Sequence, residues 1–193
     1  MFNAPGEFAV LWLAMIMAMA PPLLMRDLGR VWRSSLRRLR HLTIASFLGG
    51  YVGVWMLVGV ALAMLSERLA ATSTGIGVTV ALVGLWHCSP ARQRCLNACH
   101  RVPTLRVFGA RAQWDSLRYG VATGGYCAAA CGLVMLLVLL VKDHHLIGMA
   151  VTAIVATVER HLPPRRPRWQ LPVLRTKRPD WPEMPGAIFF IQP

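Results

Sequence analysis

Five cysteines and a set of methionines hold the chemistry that this chain can offer. Cys127, Cys131 and Met135 follow one another at i, i+4 and i+8, so on a helix they line one stripe. Cys95 and Cys99 are also four apart, with His100 next in line and Cys88 shortly before. Met15 and Met19 repeat that spacing in an earlier apolar run, and Met17 points elsewhere. Thiolate and thioether sulfurs are soft donors that select Cu(I), and thiolates also suit Zn(II). A single cysteine or methionine pair in an apolar helix is ordinarily packing material. Two cysteine pairs together with a methionine pair tip the reading toward a soft-metal site. Cu(I) is its first ion and Zn(II) its second. His87 and His100 are borderline ligands whose ordinary place is the interface, and His144 and His145 fall away from the cluster.

Other chemistries find little support. The chain has no paired carboxylates, no phosphate-cradling glycine loop and no nucleophile triad. With eight acidic residues in 193, the usual catalytic acids are scarce, so the chain reads as a non-enzyme. Cys95-Leu96-Asn97-Ala98-Cys99-His100 has three residues between its cysteines, not the two of a c-type haem attachment site.

The elements that position these residues are membrane helices. Apolar residues make up 55% of the chain and charged ones 15%, against roughly 25% charged in soluble domains, and the mean hydropathy is +0.48. Five apolar runs stand out, at about residues 8–25, 44–65, 72–88, 120–141 and 145–160. A span needs about 20 residues. The second and fourth are comfortable, the first is adequate, and the third and fifth are short. The expected fold is an all-α, polytopic bundle of about five spans over residues 1–162, followed by a Pro-rich basic tail over 163–193. Glu7 is the only charge before the first run, so a cleavable signal peptide is not expected.

The net charge of +13 would suit nucleic acid, but its distribution points to a membrane. Of 21 Lys and Arg, 19 lie in the first and third loops and the last segment, and Arg68 and Lys142 lie on the other side. That alternation places the amino terminus outside and the carboxyl terminus in the cytoplasm of an inner membrane. No nucleic-acid partner is expected. In the first loop Leu28, Val31, Trp32, Leu36 and Leu39 oppose a stripe of Arg26, Arg30, Arg33, Arg37 and Arg40. This predicts an amphipathic helix that either lies on anionic lipid at the cytoplasmic face or extends the first span. The tail has eight prolines from Pro163 to Pro193, punctuated by Trp169, Trp181, Phe189 and Phe190. It reads either as a disordered basic segment or as a contact for a protein partner.

Depth brings the sulfurs together. At 1.5 Å per residue, Cys127 and Cys131 lie about 10 and 17 Å inside the cytoplasmic surface, and Met19 and Met15 about 9 and 15 Å. Cys95 and Cys99 would cap that layer. Pro21 and Pro22 free the carbonyls of Met17 and Ala18 nearby. The reducing cytoplasm keeps the cysteines as thiols and copper as Cu(I).

These residues resemble a bacterial family of metal-binding integral membrane proteins, a domain of unknown function described as copper-chaperone-like. The likeness rests on Trp12, Met15, Ala18, Met19 and Pro21; on Cys95, Leu96, Cys99 and Pro103; on Gly124, Cys127, Cys131 and Met135; and on Glu159 with Arg160. It covers about residues 8–162 and implies metal handling. This chain has Ala130 and Gly132 where the family pattern has a second cysteine and a tryptophan, so it carries one candidate thiolate fewer. The expected function is soft-metal binding for delivery or insertion, with Cys127 and Cys131 as core ligands, Cys95 and Cys99 as cytoplasmic ones, and Met15, Met19 and Met135 as auxiliary ones. The alternative is a non-catalytic structural or assembly subunit of a larger membrane complex. A small transporter is disfavoured, for want of an inverted repeat or a charged pathway.

Overall fold

A computed structural model of the chain describes residues 5–70, 74–101, 103–106, 109–141 and 145–169. Among these there are six helices and no strand: α1 Pro5–Ser34, α2 Arg40–Ala70, α3 Gly75–Cys88, α4 Pro90–Ala98, α5 Gly109–Leu140 and α6 His145–His161. Among the described residues, each apolar run of the sequence is helical but for Thr74 and Val141 at its ends. Three of the helices, α1, α2 and α5, are long and apolar enough to cross a membrane. The expectation of five spans is therefore met in part, and length is the reason. The apolar α3 has 14 residues, about 21 Å at 1.5 Å each, against a hydrocarbon thickness of about 30 Å. With 17 residues, α6 reaches about 25 Å, and its last turns bury Glu159 and Arg160.

The first loop takes the second of its two expected arrangements. Its leading half is not a separate helix but the last turns of α1, which runs through Pro21 and Pro22 without ending. Val31 is fully buried there, and Leu28 packs against the core. A tight turn then returns the chain to α2. Thr43 Oγ1 donates to Ser35 Oγ at 2.8 Å, and the Arg40 guanidinium lies over the Trp32 ring at 5.0 Å. Beyond Leu162 the described chain is irregular to Trp169. The rest of the expected tail contact, including Trp181, Phe189 and Phe190, lies outside the described residues, as do Lys142 and His144.

Helices α2 and α5 form the largest interface, and α5 is the hub that α3, α4 and α6 also meet. Glycines make the α2–α5 approach possible. A Cβ on Gly120 would lie 2.0 Å from the Phe47 carbonyl oxygen, and one on Gly50 would lie 2.5 Å from that of Leu117. Small residues let helix backbones touch in this way. Helix α1 joins through Trp12, whose indole N–H donates to the Trp55 carbonyl at 2.8 Å and whose ring fills the space that a side chain at Gly59 would occupy.

Polarity is turned inside out relative to a water-soluble bundle. Asp27, Thr43, Thr79, Arg92, Ser116, Thr123, Thr152, Glu159 and Arg160 are buried, whereas Val10, Leu57, Met64, Leu85 and Leu146 are more than 60% exposed. The buried charges Asp27, Arg92, Glu159 and Arg160 gather at one end of the bundle, where α1, α4, α5 and α6 meet.

The glycine seam gives a direct test. Gly120→Ala should destabilise the protein by about 3 kcal/mol, because the backbone oxygen in its way cannot move independently of its helix. Gly125→Ala, with nothing within 4 Å of the added carbon, should stay within about 0.5 kcal/mol of the parent. Thermal unfolding of both variants in detergent measures the difference.

Candidate metal centre

Local sequence sets the site's geometry. Ser89 ends α3 in an extended conformation and at once caps α4, its hydroxyl accepting from the Arg92 N–H at 3.2 Å. Pro90 occupies the first turn, where its missing donor is not needed. This break aims α4 so that Arg92, Leu96 and Cys99 line a cavity of about 130 Å³. Helix α5 supplies Cys127, Ala130 and Cys131, α6 supplies Glu159 and Arg160, and α1 supplies Leu23.

Three sulfurs border this cavity. Cys127 and Cys131 are buried one turn apart on α5, and Cys131 Sγ donates to the Cys127 carbonyl at 3.0 Å. Cys99, at the end of α4, lines the same cavity. Interaction with Cys127, followed by burial, pushes the Cys99 thiol well above its ordinary range. Neighbouring His100 is shifted down, first by burial and then by Arg160, Arg26 and Arg30, and stays neutral at pH 7.

Two buried ion pairs flank the sulfurs. Arg160 pairs with Asp27, linking α6 to α1, and its other Nη donates to Cys127 Sγ at 2.9 Å. Asp27 is further held by the Tyr119 hydroxyl and by Arg30 at 3.4 Å. Arg92 pairs with Glu159, linking α4 to α6, and its Nε donates to the Ala130 carbonyl at 3.0 Å. Each buried charge thus has an opposite partner and further hydrogen bonds, the condition for tolerating charge in an apolar interior. Arg160 also places a fixed positive charge on the sulfur that would lead a metal site.

The sequence-derived ligands divide. Cys127, Cys131 and Cys99 come together at the cavity. Cys95 is half-buried on α4 and does not line it. Met15 and Met19 are half-buried and pack against the hydrophobic core, and Met135 is buried two turns beyond Cys127, but none of the three lines the cavity. Helix α1 does reach the sulfur layer, through Leu23 and Asp27. Beside these cysteines Gly124 meets α2, whereas nothing lies within 4 Å of a Cβ added at Gly125 or Gly132. Sequence reasoning missed Asp27, Arg92 and Tyr119. A signal for Asp27 was present, since it continues the buried stripe of Ile16, Ala20, Leu24 and Val31 at helical spacing.

The donor set suits Cu(I). Among the described residues, no group of three or more His, Cys, Asp or Glu side chains converges as a ready-made metal site. A soft ion satisfied by a pair of thiolates needs no such group, and the charge that those thiolates bring faces a guanidinium. Ala130 lines the cavity, so the position where the resembling family has another cysteine points into the site.

The sequence profile of a family described as PpoB2, copper chaperone, matches residues 9–174. No curated protein matches the chain, and no solved structure does. The matched stretch contains all of the cavity's residues.

The Asp27–Arg160 pair should behave as a unit. Asp27→Leu leaves Arg160 buried and unpaired and should cost about 3–5 kcal/mol. Adding Arg160→Leu should recover more than half of that loss. A double-mutant cycle on detergent-solubilised protein gives the coupling; additive effects would show that the pair does not hold α6.

Proposed function

The chain belongs to the PpoB2 copper chaperone family, and from that premise we propose that it is a membrane-embedded carrier that binds Cu(I) at Cys127 and Cys131 and delivers it to an acceptor protein. The observation that carries this reading is the cavity itself. Two buried thiols and a third at its edge surround it, and the Arg160 guanidinium already rests on one of them. Copper is the cargo. It is taken up and handed on without change of oxidation state, so the protein acts as a carrier and not as an enzyme.

The apolar exterior and the three helices of spanning length support insertion in a bilayer. Buried contacts also join the three basic segments at one end. Asp27 meets Arg160, Arg92 meets Glu159, and Asn97 clasps the backbone of Arg165 by bonds of 2.6 and 3.2 Å. Under the positive-inside rule that end faces the cytoplasm of an inner membrane, with anionic lipid around its rim. The sulfur cavity then lies at the cytoplasmic side, where thiols stay reduced.

Elemental mass spectrometry on protein purified gently in detergent tests the reading. About one copper per chain is expected, held by soft ligands. It should be lost in Cys127→Ser/Cys131→Ser and kept in Cys95→Ser. Ala130→Cys should tighten binding, read as resistance to a competing Cu(I) chelator. A parent protein free of copper under reducing, copper-replete conditions would overturn the proposal.

A further inference from the structure

A second recess opens on the other side of Cys99. It holds about 560 Å³, and its wall includes Arg101, Arg106 and Arg118 together with Asp115, Tyr119 and Tyr126. Arg106 is committed to Asp115, with side-chain bonds of 2.8 and 2.9 Å. Among the described residues, Arg101 and Arg118 form no ion pair, and both are exposed. The recess is therefore net positive. Its volume falls in the range of about 300–1,000 Å³ that accommodates small-molecule ligands. Cys99 lines both this recess and the inner cavity, which Cys127 and Cys131 also line. Among the described residues, the one sulfur that borders the basic recess thus also borders the cavity of the inner pair.

Building on the Cu(I)-carrier reading, we propose that this recess receives a small anionic Cu(I) complex, copper held by a carboxylate-bearing thiol, and that Cys99 passes the ion inward to Cys127. Arg101 and Arg118 meet the carboxylates of the carrier. The transfer is a ligand exchange with no redox change. A Cu–S bond to Cys99 forms as one to the carrier's sulfur breaks, and the Cys99 thiol proton leaves with the departing thiolate. The same exchange then moves the ion to Cys127: a bond to the inner sulfur forms, the bond to Cys99 breaks, and the Cys127 proton passes to Cys99. As Cys131 becomes the second ligand, its proton goes to the carrier's remaining thiolate, and Arg160, already on Cys127, balances the single negative charge of the Cu(I) bis-thiolate.

The test compares copper loading of the full chain in zwitterionic detergent from two donors, the Cu(I)–glutathione complex and Cu(I) held by uncharged dithiothreitol. Chain-bound copper is measured after rapid desalting. The parent should load about tenfold faster from the anionic donor, as electrostatic steering into a charged recess allows. In Arg101→Gln/Arg118→Gln that ratio should fall toward one, and Cys99→Ser should slow loading from both donors while the final copper content is retained. A ratio unchanged by the arginine substitutions, or Cys99→Ser loading at the parental rate, would overturn the relay while leaving the carrier reading intact. No uptake by the parent from either donor would overturn the carrier reading and the relay with it.

Discussion

A guanidinium buried in an apolar bundle has few stable arrangements, and Arg160 occupies one that organises the whole end of the molecule. Left alone, such a charge costs several kcal/mol in lost hydration. Here it lies between the Asp27 carboxylate and the Cys127 sulfur, while its neighbour in sequence, Glu159, holds Arg92. Two adjacent residues of opposite sign thus tie α6 to α1 and to α4 at once. The outward face of α6 is apolar, with Leu146, Ile147, Ile154 and Val158 exposed, and does not by itself fix the helix's rotation. The paired charges do, and they leave a positive group facing the cysteines.

The remaining architecture supplies the rigidity that these pairs need. Gly50 and Gly120 let α2 and α5 meet at backbone distance, so the helix bearing Cys127 and Cys131 has a stiff partner along its length. Trp86 and Arg92 donate to consecutive carbonyls, of Ala129 and Ala130, beside the thiols. The polar contents of the bundle are concentrated where α5 carries its sulfurs, and the outside is left to apolar side chains. A soft ion entering this site would meet sulfur and a fixed cation in a cavity whose remaining wall is mainly apolar.

Much of this could be read from residues alone, because hydrophobic periodicity and the one-sided placement of arginine are strong signals. All five apolar runs are helices, and the cysteine stripe of α5 faces inward. The count of spans was less legible, since α3 and α6 are apolar in pattern but, at 14 and 17 residues, shorter than the three helices of spanning length. The cysteine pair at 95 and 99 illustrates a subtler limit. Four-residue spacing places both on one side of a helix, but α4 ends at Ala98, and the cavity takes Cys99 without Cys95. Depth arithmetic brought α1 to the sulfur layer but misplaced it along the axis: Leu23 and Asp27, one and two turns beyond Met19 on the same row, arrive there, and Met15 and Met19 do not. Charged residues counted as loop cations, such as Arg92, turned out to be interior partners. Pairing of that kind is set by tertiary contacts between residues as far apart as Asp27 and Arg160, which no local pattern records.

In the proposed carrier, Cu(I) is held by the thiolates of Cys127 and Cys131 beside Arg160. X-ray absorption at the copper edge of Cu(I)-loaded protein addresses it most directly. A first shell made of sulfur alone, replaced by a mixed shell or lost in Cys127→Ser, is the predicted result. A shell of nitrogen or oxygen in the parent, or a spectrum unchanged by Cys127→Ser, would contradict the account.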